Sequence, residues 1–318
     1  MHLQDPDLDF VIPVLNESGN IELIVQSVEK VFSETKLELS LIFVDDGSTD
    51  DTWKEIEKAR KKSNGQKLKS SCKVNIHGLR LLRNLGQMRA IEVGLSKSKS
   101  PFVIIMDGDL QHPPEVALEL WNNRNVADTV AAKQDYRKEK FLKRTLSTFF
   151  YSVINFLSGE EFPRNVSDFR ILSRGAIKVI LSSNHPVKVI RFLVPRLGLQ
   201  QSYINYSPRT RLDGTGSRYT FRKMFELALQ SLAVSSTRLL SLSLWLCLGY
   251  FVFSLSVLIY AGYYLVTQSF SPGWISVMGT ILTSFTLNFL ILGITSVYLF
   301  QLISAQDAPS REYIKEII

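Results

Sequence analysis

The sequence predicts an α/β fold, a mainly parallel sheet covered by helices on both faces, followed by amphipathic interfacial helices and a C-terminal two-helix transmembrane hairpin. Three observations predict it. Short apolar, β-rich runs alternate with helical patterns through the first half of the chain. The residues that stand out chemically gather at the ends of those runs. From Leu239 to Ile303 there is no Asp, Glu, Lys or Arg, whereas charged residues recur throughout as far as about Arg238.

The first run, Phe10–Val14, reads as a strand and is followed by a helical pattern from Ile21 to Phe32. Leu39–Val44 is a second strand, ending at Asp45-Asp46-Gly47-Ser48, after which Thr49 or Asp50 caps a helix reaching Ala59. Gly78–Leu82 and Phe102–Met106 are further strands, with a helix from Gln87 to Leu95 between them. Apolar strands in β-α-β-α alternation argue a parallel sheet buried on both sides. In such sheets ligands bind at the carboxyl ends of the strands. Asn16, Glu17, Asp45, Asp46, Asn84, Asp107 and Asp109 all fall there. The polar stretch Lys61–Lys73 reads as a solvated loop.

Two spans are expected, Leu242–Val266 and Ile275–Ile303, joined by a polar turn with Pro272-Gly273 and Trp274. Each exceeds the roughly 20 residues needed to cross a hydrocarbon core of about 30 Å. A basic, amphipathic helix at 137–157, with Arg137, Lys138, Lys140, Lys143 and Arg144 ahead of Phe149 and Phe150, suits a membrane surface, and so does a juxtamembrane helix at 217–240. Arg218, Arg222, Lys223 and Arg238 precede the first span and Arg311 and Lys315 follow the second, while the turn has no basic residue. By the positive-inside rule this predicts a multi-pass inner (plasma) membrane protein with the catalytic domain and both termini cytoplasmic. The expected domains are thus 1–216 catalytic, 217–240 juxtamembrane, 241–304 transmembrane and 305–318 a cytoplasmic tail. The net charge of +7 could suit nucleic acid, but on a chain with two expected spans it fits an anionic bilayer or anionic substrate better, and no nucleic-acid partner is expected. Two cysteines, Cys72 and Cys247, set up no disulfide framework. Small residues in the second span, Gly279, Ser284 and Gly293, admit a homo-oligomer.

Asp107-Gly108-Asp109 closes an apolar strand. Asp107, Asp109 and the amide oxygen of Gln111 are hard oxygen donors, suited to Mg²⁺ or Mn²⁺ rather than zinc, with positions left for phosphate oxygens. Asp45 and Asp46 have a plainer reading, as the end of a strand and the start of a turn. His112, ahead of Pro113-Pro114, reads as a turn residue.

Val11-Ile12-Pro13-Val14-Leu15-Asn16-Glu17, Val44–Asp50, Arg83-Asn84-Leu85-Gly86-Gln87, Met106–Glu115 and Val166–Arg174 occur in this order, with Arg211 and Gly214–Tyr219 ahead of the hairpin. Together they resemble the GT-A (Rossmann-like), family 2 inverting glycosyltransferases, and within them the polyprenyl-phosphate group. That group includes bacterial undecaprenyl-phosphate glucosyltransferases, the nearer resemblance, and dolichol-phosphate mannose synthases. The resemblance implies that Pro13, Leu15, Glu17, Asp46 and Asp107 bind the nucleotide sugar, and that Asp107, Asp109 and Gln111 hold the metal. It also implies acceptor-phosphate binding by Arg137, Arg144 and Arg211, and catalytic positions at Asp168 and Asp109. One extra residue separates Arg211 from Ser217 relative to the family pattern, and Arg137 and Arg144 equally suit lipid headgroups.

The implied activity is metal-dependent transfer of a hexose, glucose from UDP-glucose, to undecaprenyl phosphate at the cytoplasmic membrane face. The alternative donor is GDP-mannose, as in a polyprenyl-phosphate mannose synthase. A phosphate monoester has a second pKa of about 6 and is already ionised at neutral pH, so Asp168 is expected to orient basic partners or the sugar rather than remove a proton. A processive polysaccharide synthase would carry a Q-x-x-R-W motif, and the nearest run here is Gln200-Gln201-Ser202-Tyr203. A transporter or scaffold is disfavoured because the spans hold no ionisable residue to line a substrate path.

Overall fold

The computed structural model describes residues 6–65, 72–134, 166–183, 189–207, 249, 252, 253, 256, 273–305 and 314–318. The chain divides into two compact units. One comprises 1–148, 161–220 and 308–318, and the other 149–160 and 221–307.

The first unit is built on an eight-stranded sheet. In chain order its strands are β1 (Leu8–Val14), β2 (Glu38–Asp45), β3 (Lys73–Leu81), β4 (Phe102–Ile105), β5 (Thr129–Gln134), β6 (Val166–Ser173), β7 (Gln201–Tyr206) and β8 (Ile314–Ile317). They lie side by side in the order β7-β5-β6-β4-β1-β2-β3-β8. The helices are α1 (Ile21–Phe32), α2 (Thr52–Gly65), α3 (Gln87–Lys97), α4 (Pro114–Asn122), α5 (Arg174–Ser182) and α6 (Ile190–Arg196). Strands β1 to β4 run parallel, β5 pairs parallel with β7, and β6 and β8 are antiparallel to their neighbours.

Burial follows from the two-residue period of a strand. β1, Leu-Asp-Phe-Val-Ile-Pro-Val, is buried at every position because both faces are covered. Phe10, Ile12, Leu41 and Phe43 point to one face and join Phe32 of α1, Trp53 and Ile56 of α2 and Leu120 of α4. Val11, Ile42, Val44 and Val103 point to the other and join Ile91 and Leu95 of α3, Ile177 of α5 and Leu193 of α6. Asp9 is the polar exception in β1. Its carboxylate accepts from Ser100 Oγ (2.6 Å), Lys99 N (2.7 Å) and Ser100 N (3.0 Å), which ties the turn before β4 to the start of β1.

Because β1 lies between β2 and β4, the chain order reverses beside it, as it does at the ligand crevice of open α/β sheets. Val14 is level with Asp45, and Val11 with Ile105. The carboxyl ends of β1, β2 and β4 therefore open on one edge.

Helices α1 and α3 and strands β1, β2 and β4 stand where the sequence places them, within a few residues. Three expectations are corrected. The segment 61–73 is not wholly loop, since α2 continues to Gly65 and β3 begins at Lys73. Residues 66–71 between them lie outside the described residues. Asp50 caps that helix as expected, accepting from the N–H and hydroxyl of Thr52, but the helix runs past Ala59. The end of the chain, expected as a tail, forms β8 against β3, with Leu79 opposite Ile317 and Arg80 opposite Glu316. Gly78 and Ile318 exchange backbone hydrogen bonds, each 2.9 Å. A Cβ on Gly78 would stand 2.8 Å from the Ile318 side chain, so glycine there lets the terminal residue seat on the sheet.

In the second unit, the expected span 275–303 falls within one helix, α7 (Trp274–Ala305, 32 residues). It carries no charged side chain and is about 48 Å long at 1.5 Å per residue. Its side chains are described only in part, and no run of described residues is long and apolar enough to cross a membrane. The expected interfacial helix 137–157 and the juxtamembrane helix 217–240 lie outside the described residues. So does the span 242–266, apart from single helical residues.

Candidate active site

Three loops meet at the carboxyl edge of the sheet. The first follows β1. Asn16 takes a left-handed backbone (φ 56°), and this turns its N–H onto Ser48 Oγ (2.9 Å) and its Oδ1 onto Thr49 N (2.9 Å). The N–H of Glu17 donates to Thr52 Oγ1 (2.9 Å), while its carboxylate accepts from the Asn20 amide. The loops after β1 and β2 are thereby zipped together, and Leu15 is left exposed at 39%.

The second loop is Asp45-Asp46-Gly47-Ser48. Asp45 Oδ1 accepts from Ser48 N (2.8 Å), and its other oxygen faces Arg80 Nε at 3.5 Å. Asp46 is 3% exposed, and its two oxygens accept from Leu85 N (2.7 Å) and Gly86 N (2.9 Å). Burial raises its pKa despite those two bonds. Asp46, matched by motif to a nucleotide-binding position, thus clamps the loop after β3 and presents little of its own surface.

The third loop is the turn after β4, Asp107 to His112. Gly108 is required by packing, because a Cβ would meet Val14 Cγ1 at 2.7 Å and the Pro13 carbonyl at 3.1 Å. Leu110 is left-handed (φ 59°), an uncommon state for a side chain of that size and a local strain of the kind that collects at functional sites. Asp107 Oδ1 accepts from Gln87 Nε2 (2.6 Å) at the start of α3. Asp109 accepts from Gln111 N (3.1 Å) and Gln111 Nε2 (2.8 Å). With its nitrogen turned to Asp109, the Gln111 amide keeps its oxygen for another partner.

Burial raises the Asp107 pKa. Asp109 and Asp168 add to the rise, whereas His112 and Arg191 oppose it. Carboxylates crowded in this way, beside a spare amide oxygen, form a donor set fit for a hard divalent ion. Among the described residues no group of three or more His, Cys, Asp or Glu side chains is arranged to hold a metal ion.

The sign of the Asp107 shift gives a prediction. A carboxyl whose pKa is raised on folding favours the folded state at low pH, and this contribution is lost as pH rises through the folded pKa. The charged form of Asp107 is therefore the less favoured one in the metal-free fold. Asp107→Asn is expected to raise Tm in EDTA by on the order of 1–3 °C, read by thermal denaturation, while abolishing turnover.

Asp168, on β6, faces Arg191 of α6, with Oδ2 to Nη2 at 3.6 Å. Arg170, on the same face of β6, is wholly buried, and its Nη2 donates to the Ser167 carbonyl (3.0 Å). Its Nε and Nη1 have no hydrogen-bond partner among the described residues. Burial lowers the Arg170 pKa to about 10, with Asp168 pulling the other way, so it stays charged at neutral pH. Two guanidiniums thus offset the charge of Asp168 and, through Arg191, part of that of Asp107.

The structure brings together Pro13, Glu17, Asp46, Asp107, Asp109, Gln111 and Asp168 at or behind one edge of the sheet. Arg137, Arg144 and Arg211 lie outside the described residues. Sequence reasoning missed Gln87, Arg170 and Arg191. Gln87 and Arg170 stood inside quoted motifs without a role, and Arg191 lies in a stretch, Val189–Arg196, that carries no motif.

Carboxylates converge where the α/β sheet reverses its strand order, the place where such sheets bind their ligands. Residues 9–181 match the Glycosyl transferase family 2 domain, and the chain belongs to that family and is a glycosyltransferase. A bactoprenol glucosyl transferase of Shigella phage SfX is 31% identical over 256 residues, 79% of this chain and 79% of that protein. An uncharacterized glycosyltransferase of Synechocystis is 29% identical over 300 residues, 92% of this chain and 90% of the other. Among solved structures, the glucosyl-3-phosphoglycerate synthase of Mycobacterium tuberculosis, in complex with Mn²⁺, UDP and glucosyl-3-phosphoglycerate, superposes with a TM-score of 0.50. It is 17% identical and covers 73% of this chain and 80% of its own, a likeness of fold.

Proposed function

We propose that the protein transfers a hexose, glucose from UDP-glucose, with inversion to a polyprenyl phosphate such as undecaprenyl phosphate. The work is done at the cytoplasmic face of the inner membrane. What carries this is the Asp107–Asp109 turn at the end of β4, in a chain similar along 79% of its length to a bactoprenol glucosyl transferase. The uncharged stretch from Leu239 to Ile303 and the basic residues flanking it support the membrane setting.

Asp107, Asp109 and Gln111 would hold the Mg²⁺ or Mn²⁺ ion. Such an ion supplies positive charge where the departing diphosphate gains negative charge. Gln87 fixes the orientation of Asp107, and Gln111 that of Asp109. Asp46 holds the loop 83–86 in place beside the nucleotide. A phosphate oxygen of the acceptor forms the new bond to the anomeric carbon as the bond from that carbon to the diphosphate breaks. With the nucleophile already ionised, Asp168 serves by orienting Arg191 and the substrate.

The test uses the full chain in detergent with polyprenyl phosphate, Mg²⁺ or Mn²⁺, and labelled UDP-glucose or GDP-mannose. Acid-labile, chloroform-soluble label from UDP-glucose, abolished by EDTA, is the expected result. Label only from GDP-mannose would transfer the assignment to a mannose synthase, and long polymer would make the enzyme a processive synthase. No label from any sugar nucleotide would reject the proposal.

A further inference from the structure

His112 was expected to be a turn residue, yet it is 5% exposed and both of its ring nitrogens are engaged. Its ring stacks on Phe169 at 4.5 Å with an interplanar angle of 10°, and Tyr206 approaches edge-on at 6.2 Å. Nδ1 accepts the main-chain N–H of Asp107 (3.1 Å), so that nitrogen carries a lone pair. Nε2 lies 3.1 Å from Ser167 Oγ and 3.7 Å from Asp107 Oδ2. Ser167 Oγ in turn accepts from Phe169 N (3.2 Å). The imidazole therefore closes the turn from Asp107 to its own backbone and bolts that turn to β6, the strand that carries Asp168.

Burial alone asks both nitrogens for partners, but here one partner is the backbone of a candidate ligand, Asp107. The geometry points to His112 as a positioning residue for the divalent-cation site. It acts through the Asp107 main chain and Ser167, holding the strained Leu110 turn in the one shape that presents Asp107 and Asp109 together. This rests on the metal site proposed above. Partners of this kind, one bond removed from the ion, typically change metal affinity by about 10–100-fold when removed.

The test is Mn²⁺ binding to the full-length protein in detergent with UDP present, followed by the electron paramagnetic resonance of free Mn²⁺. His112→Phe keeps the stack on Phe169 and loses both nitrogens. Its Mn²⁺ Kd is expected to rise about 10–100-fold, while the KM for the donor at saturating Mn²⁺ stays within about threefold of wild type. Ser167→Ala removes only the Nε2 partner and is expected to give a smaller rise, about tenfold, at the lower end of such effects. Loss of thermal stability with wild-type Mn²⁺ affinity in both variants would overturn the inference and make His112 a core residue. If His112→Phe does not fold, Ser167→Ala alone decides. A wild-type protein that binds no Mn²⁺ would overturn the metal site itself, a different failure.

Discussion

Asp109→Ala lowers kcat/KM for transfer by an expected factor of at least about 10³, which is about 4 kcal/mol of transition-state stabilisation. Two losses combine. One is a carboxylate proposed above to hold the cation that would offset charge on the leaving diphosphate. The other is the acceptor for Gln111, whose N–H and amide nitrogen both donate to Asp109, so the remaining oxygen donor loses its orientation. Asp109→Asn separates the two, keeping the shape and removing the charge. It should restore little activity if charge dominates. Kinetics across a Mg²⁺ and Mn²⁺ titration check both variants, and a Tm close to wild type shows that the fold survives.

The second large effect is expected at Gly47. Its backbone is left-handed (φ 75°), and a Cβ there would stand 2.7 Å from both Arg83 C and Asn84 N. Those are backbone atoms of the loop that Asp46 holds through Leu85 and Gly86, so neither side gives way cheaply. Gly47→Ala should cost about 2 kcal/mol or more from conformation and contact together, a Tm loss of roughly 4–8 °C. The KM for the sugar nucleotide should rise about tenfold, about 1.4 kcal/mol of lost binding, with a smaller change in kcat. Gly19→Ala is the control, because nothing lies within 4 Å of its Cβ and its φ is ordinary. Equal effects at the two glycines would show that Gly47 is not a packing point between the loops.

What was legible in the sequence was whatever repeats with the period of an element or sits at its end. β1 and β2 read correctly because both faces are buried and their apolar runs are nearly unbroken. β3 alternates exposed and buried residues over its first half, Lys73 to His77, so its start merged with the polar stretch before it. β8 is four residues long and mostly exposed, and a strand formed only by pairing with a distant edge leaves no local pattern. The acidic turn at Asp107 was legible as chemistry because carboxylates close an apolar strand. The partners of that turn were not. Gln87 reaches Asp107 from the start of a helix, Ser167 reaches His112 across the sheet, and Arg191 reaches Asp168 from a segment with no motif. Such contacts are set by tertiary packing, which composition and spacing do not encode. His112 shows the same limit, because its neighbours Pro113 and Pro114 mark a turn whether or not the ring is buried.

The pairing of β8 with β3 also carries a counting rule. Backbone hydrogen bonds such as those between Gly78 and Ile318 form only between segments on the same side of a bilayer. The stretch between β7 and β8 therefore leaves from and returns to one compartment. Any passage of that stretch through a bilayer would therefore be an even number of crossings, whatever the distribution of basic residues around it. A single crossing, or three, would tear β8 from the sheet. Charge asymmetry is a statistical bias that added lysines can reverse, whereas strand pairing of this kind fixes parity. Cysteines introduced at Lys99, in the turn before β4, and at the exposed Glu316 of β8 should therefore label from the same side of sealed vesicles.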